Sequence, residues 1–337
     1  MTRGMVSVRC RLVALALSLI LFAAAGAAAG EFVTIVTGST GGTYYPVGTL
    51  LANRFNTAML TKGYKFSAQS SGGTTENLEM LHSGQARMAI AMCNLTGLAY
   101  LGQDLYGDSP NPDLRYVFGL WPDVSQFVIT KSSGIKGWGD LKGKKIAVGP
   151  PASGTEFSTR TMLQAISGLT FDDIVPEYLG YSEAAQALQN GHIDGALLEA
   201  GVPTSAVTEL YAGRTEVDML PYEGEDLKKL LEAAPWYAEV LIPAGTYPKQ
   251  GRDLHVVGVK CALIAHPDVA DDIIYQSLET IYASREALLK AHSAFNQVDF
   301  DRPLAGLYGA PLHPGAVKFY REKGMTVPEE LLPPDMK

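Results

Sequence analysis

The chain has 337 residues, of which 47% are hydrophobic and 18% are charged, and its formal net charge at pH 7 is −8. A chain of this length can bury a large core and is more typical of two lobes than of one. The acidic balance argues against a nucleic acid or an anionic membrane surface as its partner.

The first 29 residues have the composition of a secretory signal peptide. Three arginines precede an apolar stretch at 12–25, and small residues follow at 27–29. Cleavage after Ala29 would change the net charge from −8 to −11, because this segment carries three arginines and no acid. Ala25 is a second candidate cleavage site, and an uncleaved anchor is the alternative. We expect export to the periplasm.

A first socket is predicted where a strand at 33–36 runs into a glycine- and hydroxyl-rich loop at 37–45. Three glycines in the loop permit positive φ, and a helix predicted over about 47–59 adds the partial positive charge of its N-terminus. The spacing fits neither a phosphate-binding loop nor a dinucleotide fingerprint. We therefore predict an uncharged socket for an anion or zwitterion, walled by Tyr44 and Tyr45. A tight turn without a ligand is the alternative.

Two more strands of the first half end in small polar residues. The strand predicted at 64–69 leads into a second glycine loop, where either Thr74 or Thr75 is the expected N-cap of a helix. A third strand at 87–92 ends beside Asn94. Because the carboxyl ends of parallel strands share one edge of a sheet, we expect these residues to lie in one crevice.

The pattern of strand, glycine loop and helix starts again in the second half. Two short extended runs, at 115–120 and 126–130, precede it. A strand at 145–148 then gives way to a loop at 149–155, which forms the second predicted socket. A helix is expected to follow that loop.

A long apolar strand at 255–264 is predicted to run from the second half of the chain back to the first. Further strands are predicted at 176–179 and 193–198. Helices are predicted at about 182–190, 223–234, 269–282 and 285–292.

Two cysteines lie beyond the leader, Cys93 and Cys261, each within an apolar run. Buried free thiols and a single disulfide are both open from the sequence. The spacings C-x-x-C and H-E-x-x-H are absent, and so is an acidic calcium loop. We therefore expect neither a metal nor a cofactor.

Taken in order, these segments resemble the TAXI family of solute receptors for tripartite ATP-independent periplasmic (TRAP) transporters. The matching segments are 37–45 (TGSTGGTYY), 71–78 (SGGTTENL), 140–149 (DLKGKKIAVG), 153–155 (SGT), 191–195 (GHIDG), 201–203 (GVP), 243–248 (PAGTYP) and 312–324 (LHPGAVKFYREKG).

The resemblance implies a type II periplasmic-binding-protein fold, in which two doubly wound α/β lobes are joined by hinge strands around a ligand cleft. Residues 30–127 and 258–337 would form one lobe, and residues 128–257 the other. The implied function is to capture a small carboxylate or amino acid, glutamate-like or a related dicarboxylate, and to deliver it to a TRAP permease. We expect a monomer that is not an enzyme.

Two other interpretations stay open. The protein could serve an ABC transporter or a sensor partner, or it could be an enzyme on a related two-lobed scaffold. The enzyme would need a nucleophile with a base, and the chain has no G-x-S-x-G motif.

The predicted ligand-binding residues share three chemistries: backbone and hydroxyl groups for a carboxylate, polar side chains for an amine or amide, and aromatic rings for the ligand's stem. Helix capping, turns and core packing are the alternative roles. The residues are Gly42, Thr43, Tyr44, Tyr45, Ser71, Gly73, Thr74, Asn94, Trp121, Ser153, Gly154, Thr155, Glu199, Pro203 and Tyr247.

Overall fold

The computed structural model describes residues 31–107 and 109–337. The predicted signal peptide at 1–29 lies outside these residues. Among the described helices, none is long and apolar enough to cross a membrane.

The described part of the chain forms ten strands and ten α-helices. The strands are β1 Glu31–Val36, β2 Tyr64–Gln69, β3 Met88–Met92, β4 Arg115–Thr130, β5 Lys145–Ala147, β6 Val175–Glu177, β7 Gly195–Ala200, β8 Val217–Met219, β9 Ala238–Ile242 and β10 Leu254–Ala265. The helices are α1 Tyr44–Met59, α2 Thr74–His82, α3 Cys93–Leu101, α4 Gly154–Met162, α5 Tyr181–Gln189, α6 Ser205–Ala212, α7 Gly224–Ala233, α8 Asp271–Ala283, α9 Arg285–Ala291 and α10 Pro314–Glu322.

The strands build two α/β lobes that share two long strands. In the first lobe β2, β1 and β3 are parallel, and β10 pairs antiparallel with β3. In the second lobe β6, β5 and β7 are parallel, and β4 pairs antiparallel with β7. Strands β4 and β10 also pair with each other and connect the lobes, which confirms the predicted hinge-strand architecture. The lobe boundaries at 127/128 and 257/258 stay predictions.

The first helix shows how the sequence pattern produces this packing. Val47, Leu51, Phe55 and Met59 recur every four residues along α1, so they form one stripe on the helix surface. All four are fully buried. The stripe packs α1 against β2.

The prediction of two separate runs at 115–120 and 126–130 is wrong, because β4 is one continuous strand of 16 residues. Proline usually interrupts a strand since it lacks an N–H group. Here Pro122 lies opposite Lys260, next to a shift of register between β4 and β10. Such an irregularity tolerates a proline within a strand. Strands β8 and β9 were not predicted at all.

The two cysteines of the described chain are free and buried. Burial raises the pKa of the Cys93 thiol to about 12. The free-thiol alternative therefore holds in this structure, and because burial also raises the pKa of the Cys261 thiol, both thiols are protonated at neutral pH.

Candidate functional site

A small cavity, with about 40 Å³ of room for the centres of water-sized molecules, lies between the two lobes. Both glycine loops reach it, so the two predicted sockets open into the same space. The residues that line it are Gly38, Ser39, Gly42, Thr43, Tyr44, Gly72, Gly73, Thr74, Met92, Asp123, Pro150, Gly154, Thr155, Tyr181, Glu199 and Ala200.

Four helices begin at this cavity. The N-termini of α1 and α2 reach it from the first lobe, and those of α4 and α5 reach it from the second. The first N–H groups of a helix have no acceptor within the helix, and the helix dipole places partial positive charge there. The helix termini therefore supply the cavity with positive potential and with those first-turn N–H donors that are not already bonded, and none of the described residues that line it is cationic.

A buried asparagine fixes the loops of the first lobe. Asn77 donates to the carbonyl oxygen of Thr37 at 2.6 Å and to that of Ile90 at 2.9 Å. Its side-chain oxygen accepts from Ser71 Oγ at 2.6 Å. One side chain thus connects the end of β1 and the middle of β3 to the loop that precedes α2.

The predicted N-cap of α2 is wrong. Gly73 occupies the cap position with φ +119°, a conformation that glycine adopts without steric penalty. Thr74 is the first helical residue, and its hydroxyl oxygen accepts from the Met92 N–H at 3.1 Å. This bond leaves the hydroxyl proton of Thr74 to be donated, and the Tyr44 hydroxyl is one acceptor within its reach.

In the second lobe Ser153, which was predicted to bind the ligand, takes the alternative role of a helix cap. Ser153 Oγ accepts from the Glu156 N–H at 3.0 Å and starts α4. Gly149 precedes this turn with φ +99°, and a Cβ there would lie 2.7 Å from the Cβ of Thr155. The sharp turn places Gly154 and Thr155 on the cavity wall, and Ser153 is not among the residues that line it.

The Tyr181 hydroxyl is the centre of a buried hydrogen-bond network. It donates to the Glu199 carbonyl oxygen at 2.7 Å and accepts from the Glu199 N–H at 3.1 Å. Thr155 Oγ1 lies 2.6 Å away. Because the single phenolic proton goes to the carbonyl, the Thr155 hydroxyl must donate to Tyr181, which leaves only acceptor capacity on Thr155.

Two buried carboxyl groups line the cavity. Asp123 accepts hydrogen bonds from Trp121 Nε1 at 3.2 Å and from the Tyr44 hydroxyl. Glu199 accepts from Ser125 Oγ, its cross-strand neighbour, at 2.6 Å. Burial raises the pKa of Asp123 well above its usual range and raises that of Glu199 to about 7.

The lobes contact each other directly around the cavity. Ser39 Oγ accepts from the Tyr181 N–H at 3.1 Å, and Ser205 Oγ donates to the Gly41 carbonyl oxygen at 2.9 Å. A Cβ on Gly41 would lie 2.5 Å from Ser182 Oγ and 2.9 Å from its nitrogen. The structure is therefore a closed form, in which glycine permits the approach of the lobes.

Eight of the fifteen predicted ligand-binding residues lie on the cavity wall. Seven lie at or next to a helix start, and the eighth, Glu199, lies near the end of β7. They are Gly42, Thr43, Tyr44, Gly73, Thr74, Gly154, Thr155 and Glu199.

The other seven lie off that wall. As described above, Ser71 donates to Asn77, Ser153 caps α4, and Trp121 donates to Asp123. Tyr247 donates to Gln126 and stacks on Tyr211 with ring centroids 5.5 Å apart. The remaining three are the half-buried Tyr45, the exposed Pro203 and the buried Asn94, whose amide has no hydrogen-bond partner among the described residues.

Sequence reasoning missed Ser39, Asp123 and Tyr181 as cavity residues. Asp123 directly follows Trp121 and Pro122, where the prediction placed a break between strands. An acid within an otherwise apolar strand was the available signal for it. Tyr181 precedes a predicted helix start, but only the fold shows that this start faces the first lobe. Among the described residues, no group of three or more His, Cys, Asp or Glu is placed to hold a metal ion.

Comparison with known proteins gives matches of three kinds. The family model described as "NMT1-like family" matches residues 35–324. A putative aliphatic sulfonates-binding protein of Escherichia coli K12 is 33% identical over 111 residues, which is 29% of this chain and 34% of that protein. The match thus spans about a third of the relative's length.

Two solved structures align with most of the chain. One, from Bordetella bronchiseptica RB50, is 18% identical, covers 91% of both chains and has a TM-score of 0.50. The other is the alkanesulfonate-binding protein SsuA of Xanthomonas axonopodis pv. citri bound to MOPS, which is 16% identical and has a TM-score of 0.47, over 91% of this chain and 97% of that one. The predicted fold class, a two-lobed α/β fold of the periplasmic-binding-protein type, is confirmed.

These findings correct the resemblance drawn from the motifs. The assignment to the TAXI family of TRAP receptors is wrong, because the family model that matches nearly the whole described chain is a different one. The motifs that suggested it are glycine loops and helix starts, which reflect the architecture rather than one transporter class. The chain belongs to the NMT1-like family.

Proposed function

We propose that the protein is a periplasmic solute-binding protein that captures a small organic anion between its lobes and delivers it to an ABC-type importer. The observation that carries this proposal is the convergence of four helix N-termini, two from each lobe, on one closed cavity. Helix N-termini bind anionic groups through their free N–H donors. A ligand that bridges donors of both lobes would stabilise the closed form.

Sulfonates and carboxylates are the classes of anion we propose. Either group can accept several backbone hydrogen bonds at once. Among the described residues that line the cavity, none is Lys, Arg or His, so the amides and hydroxyls would hold the anionic group. The sulfonate class is also supported by the E. coli relative, whose name records sulfonate binding.

An ABC-type importer replaces the TRAP permease as the proposed partner. The TRAP permease is dropped because the family match is not the TRAP-receptor one, and an ABC importer is the alternative that the sequence left open. Export is supported by the composition of residues 1–29. If the proposal holds, a gene beside this one encodes an ATPase subunit with the phosphate-binding sequence G-x-x-x-x-G-K-[ST]. A neighbouring permease gene without an ATPase would contradict it.

We propose capture of the solute without chemical change. A direct test is isothermal titration calorimetry with a panel of C2–C6 alkanesulfonates, carboxylates, amino acids and aminosulfonates, followed by mass analysis of the recovered solute. The proposal predicts one molecule bound per chain and recovered intact. If no member of the panel binds, or if the solute is converted, the proposed function is wrong.

A further inference from the structure

The closed lobes leave little room between them. The cavity admits the centres of water-sized molecules over about 40 Å³. This is the room of about three waters, since one water needs about 10–15 Å³ on this measure. A sulfonate or carboxylate group alone would take up most of that space. The length of the solute's carbon chain is therefore limited unless the walls of the cavity can move apart.

One place where the lobes touch beside the cavity is the contact between the loops that precede α2 and α4. The Glu76 N–H donates to the Ala152 carbonyl oxygen at 3.2 Å. Each loop is also held by a glutamate of its own helix. Glu76 accepts from the Gly72 N–H at 2.6 Å, and Glu156 accepts from the Ala152 N–H at 2.9 Å. The contact thus joins two loops that are each braced within their own lobe.

The lobes touch at two further places beside the cavity. The loop at 39–41 bonds to Tyr181 and Ser205 of the second lobe, as described above. Thr43 Oγ1 donates to the Gly201 carbonyl oxygen at 3.3 Å, and a Cβ on Gly201 would lie 3.1 Å from Thr43 Cγ2. A solute that pushed the lobes apart would therefore lose hydrogen bonds at all three places.

Met92, at the end of β3, narrows the cavity from its wall. A Cβ on Gly154 would lie 2.4 Å from Met92 Sδ, so this sulfur lies against the first residue of α4 in the second lobe. The hydroxyls of the wall residues Tyr44 and Tyr181 are held by hydrogen bonds. The Met92 side chain is apolar and flexible, so shortening it would free space without leaving a polar group unpaired.

We infer that the solute is a compact anion, with about one to three carbons beside its acid group, and that Met92 sets this limit. The lobe contacts fix how far apart the walls stand, and Met92 occupies the space that a longer chain would need. The inference rests on the proposed function and narrows the solute by size.

The test is calorimetric titration of the wild type with straight-chain sulfonates and carboxylates of one to six carbons. In an open pocket each buried methylene would tighten binding about fourfold. We expect affinity instead to stop rising at about three carbons and to fall at least about tenfold between the three-carbon and six-carbon compounds. The reason is that overpacking a closed wall weakens binding about 5- to 150-fold.

Met92→Ala should extend the limit to longer chains. We expect this variant to bind the six-carbon compounds at least about tenfold more tightly than the wild type does, because the clash is relieved. The matched control is Met88→Ala. Met88 is a fully buried methionine on the same strand and is not among the described residues that line the cavity. This control should keep the length dependence of the wild type.

Affinity that rises with every carbon up to six in the wild type would overturn the inference and leave the proposed function standing. An unchanged length dependence in Met92→Ala would overturn the role of Met92. If Met92→Ala does not fold, Met92→Val, which shortens the side chain less drastically, takes its place, and the wild-type series still decides the size limit. Failure of the whole series and of the wider panel to bind would instead reject the proposed function.

Discussion

Replacing Gly41 with alanine should obstruct closure of the lobes without disturbing either lobe. The new Cβ would lie 2.9 Å from the backbone nitrogen of Ser182 in the opposite lobe, closer than real Cβ atoms come. Gly41 is not among the residues with positive φ, so alanine can adopt its backbone conformation. Overpacking of this kind costs about 1–3 kcal/mol, and because the contact exists only in the closed form, we expect solute affinity to fall about 5- to 150-fold.

Calorimetry with the solute, and small-angle X-ray scattering with and without it, would measure this effect. The control is Gly251→Ala, because a Cβ at Gly251 meets nothing within 4 Å and no positive φ is recorded there. We expect Gly41→Ala alone to bind weakly and to contract less when solute is added. Affinities within twofold of each other for the two variants would refute the claim that the lobes close through Gly41.

Three further predictions concern the contacts around the cavity. Ser205→Ala removes one hydrogen bond to Gly41 at an exposed site, so the solute should dissociate about 2- to 5-fold faster in stopped-flow displacement. The control is Thr208→Ala, which removes a bond to Thr204 at the start of α6 and should not change the rate. An equal effect in both variants would contradict the reasoning. Tyr181→Phe leaves buried groups of Glu199 and Thr155 without a partner, so its free energy of unfolding in urea should be lower by at least about 2 kcal/mol. The control is Tyr275→Phe, because the Tyr275 hydroxyl bonds the exposed Glu322, and its free energy of unfolding should fall by less than about 1 kcal/mol. The pKa of Glu199 is raised from 4.5 to about 7 in the folded protein, so between these pH values the native state binds more protons than the unfolded state does. The free energy of unfolding should therefore fall as the pH rises across that window, by about 3 kcal/mol at most. Glu199→Gln should lose this dependence, and identical pH profiles for the two proteins would show that the carboxyl is not desolvated.

The local signals in the sequence predicted the helix starts at the cavity well. At 37–45 and 149–155 an apolar strand, a glycine loop and a helix follow one another, and this order alone places backbone donors at the end of a strand. Thr43, Gly154 and Thr155 lie on the wall for that reason. To predict that the two loops face each other, the hinge-strand architecture was needed as well. The motif series implied that architecture, and the structure confirms it.

The missed residues depend on contacts between distant parts of the chain. Asp123 was overlooked because Pro122 reads as an interruption, whereas pairing with β10 keeps the strand continuous. Tyr181 reaches the cavity through its bonds to Glu199 and Ser39, which lie in different parts of the sequence. Tyr247 was chosen as a ligand contact for its aromatic ring, yet its partners are Gln126, Thr204 and Tyr211, so core packing explains it.

A crystal structure with the solute bound would test the central claim most directly. We predict that its anionic group lies between the lobes, within about 3.2 Å of first-turn N–H groups of α1, α2 or α4, with donors from both lobes engaged. A solute bound elsewhere, or held by one lobe with the helix N-termini still unoccupied, would contradict the account.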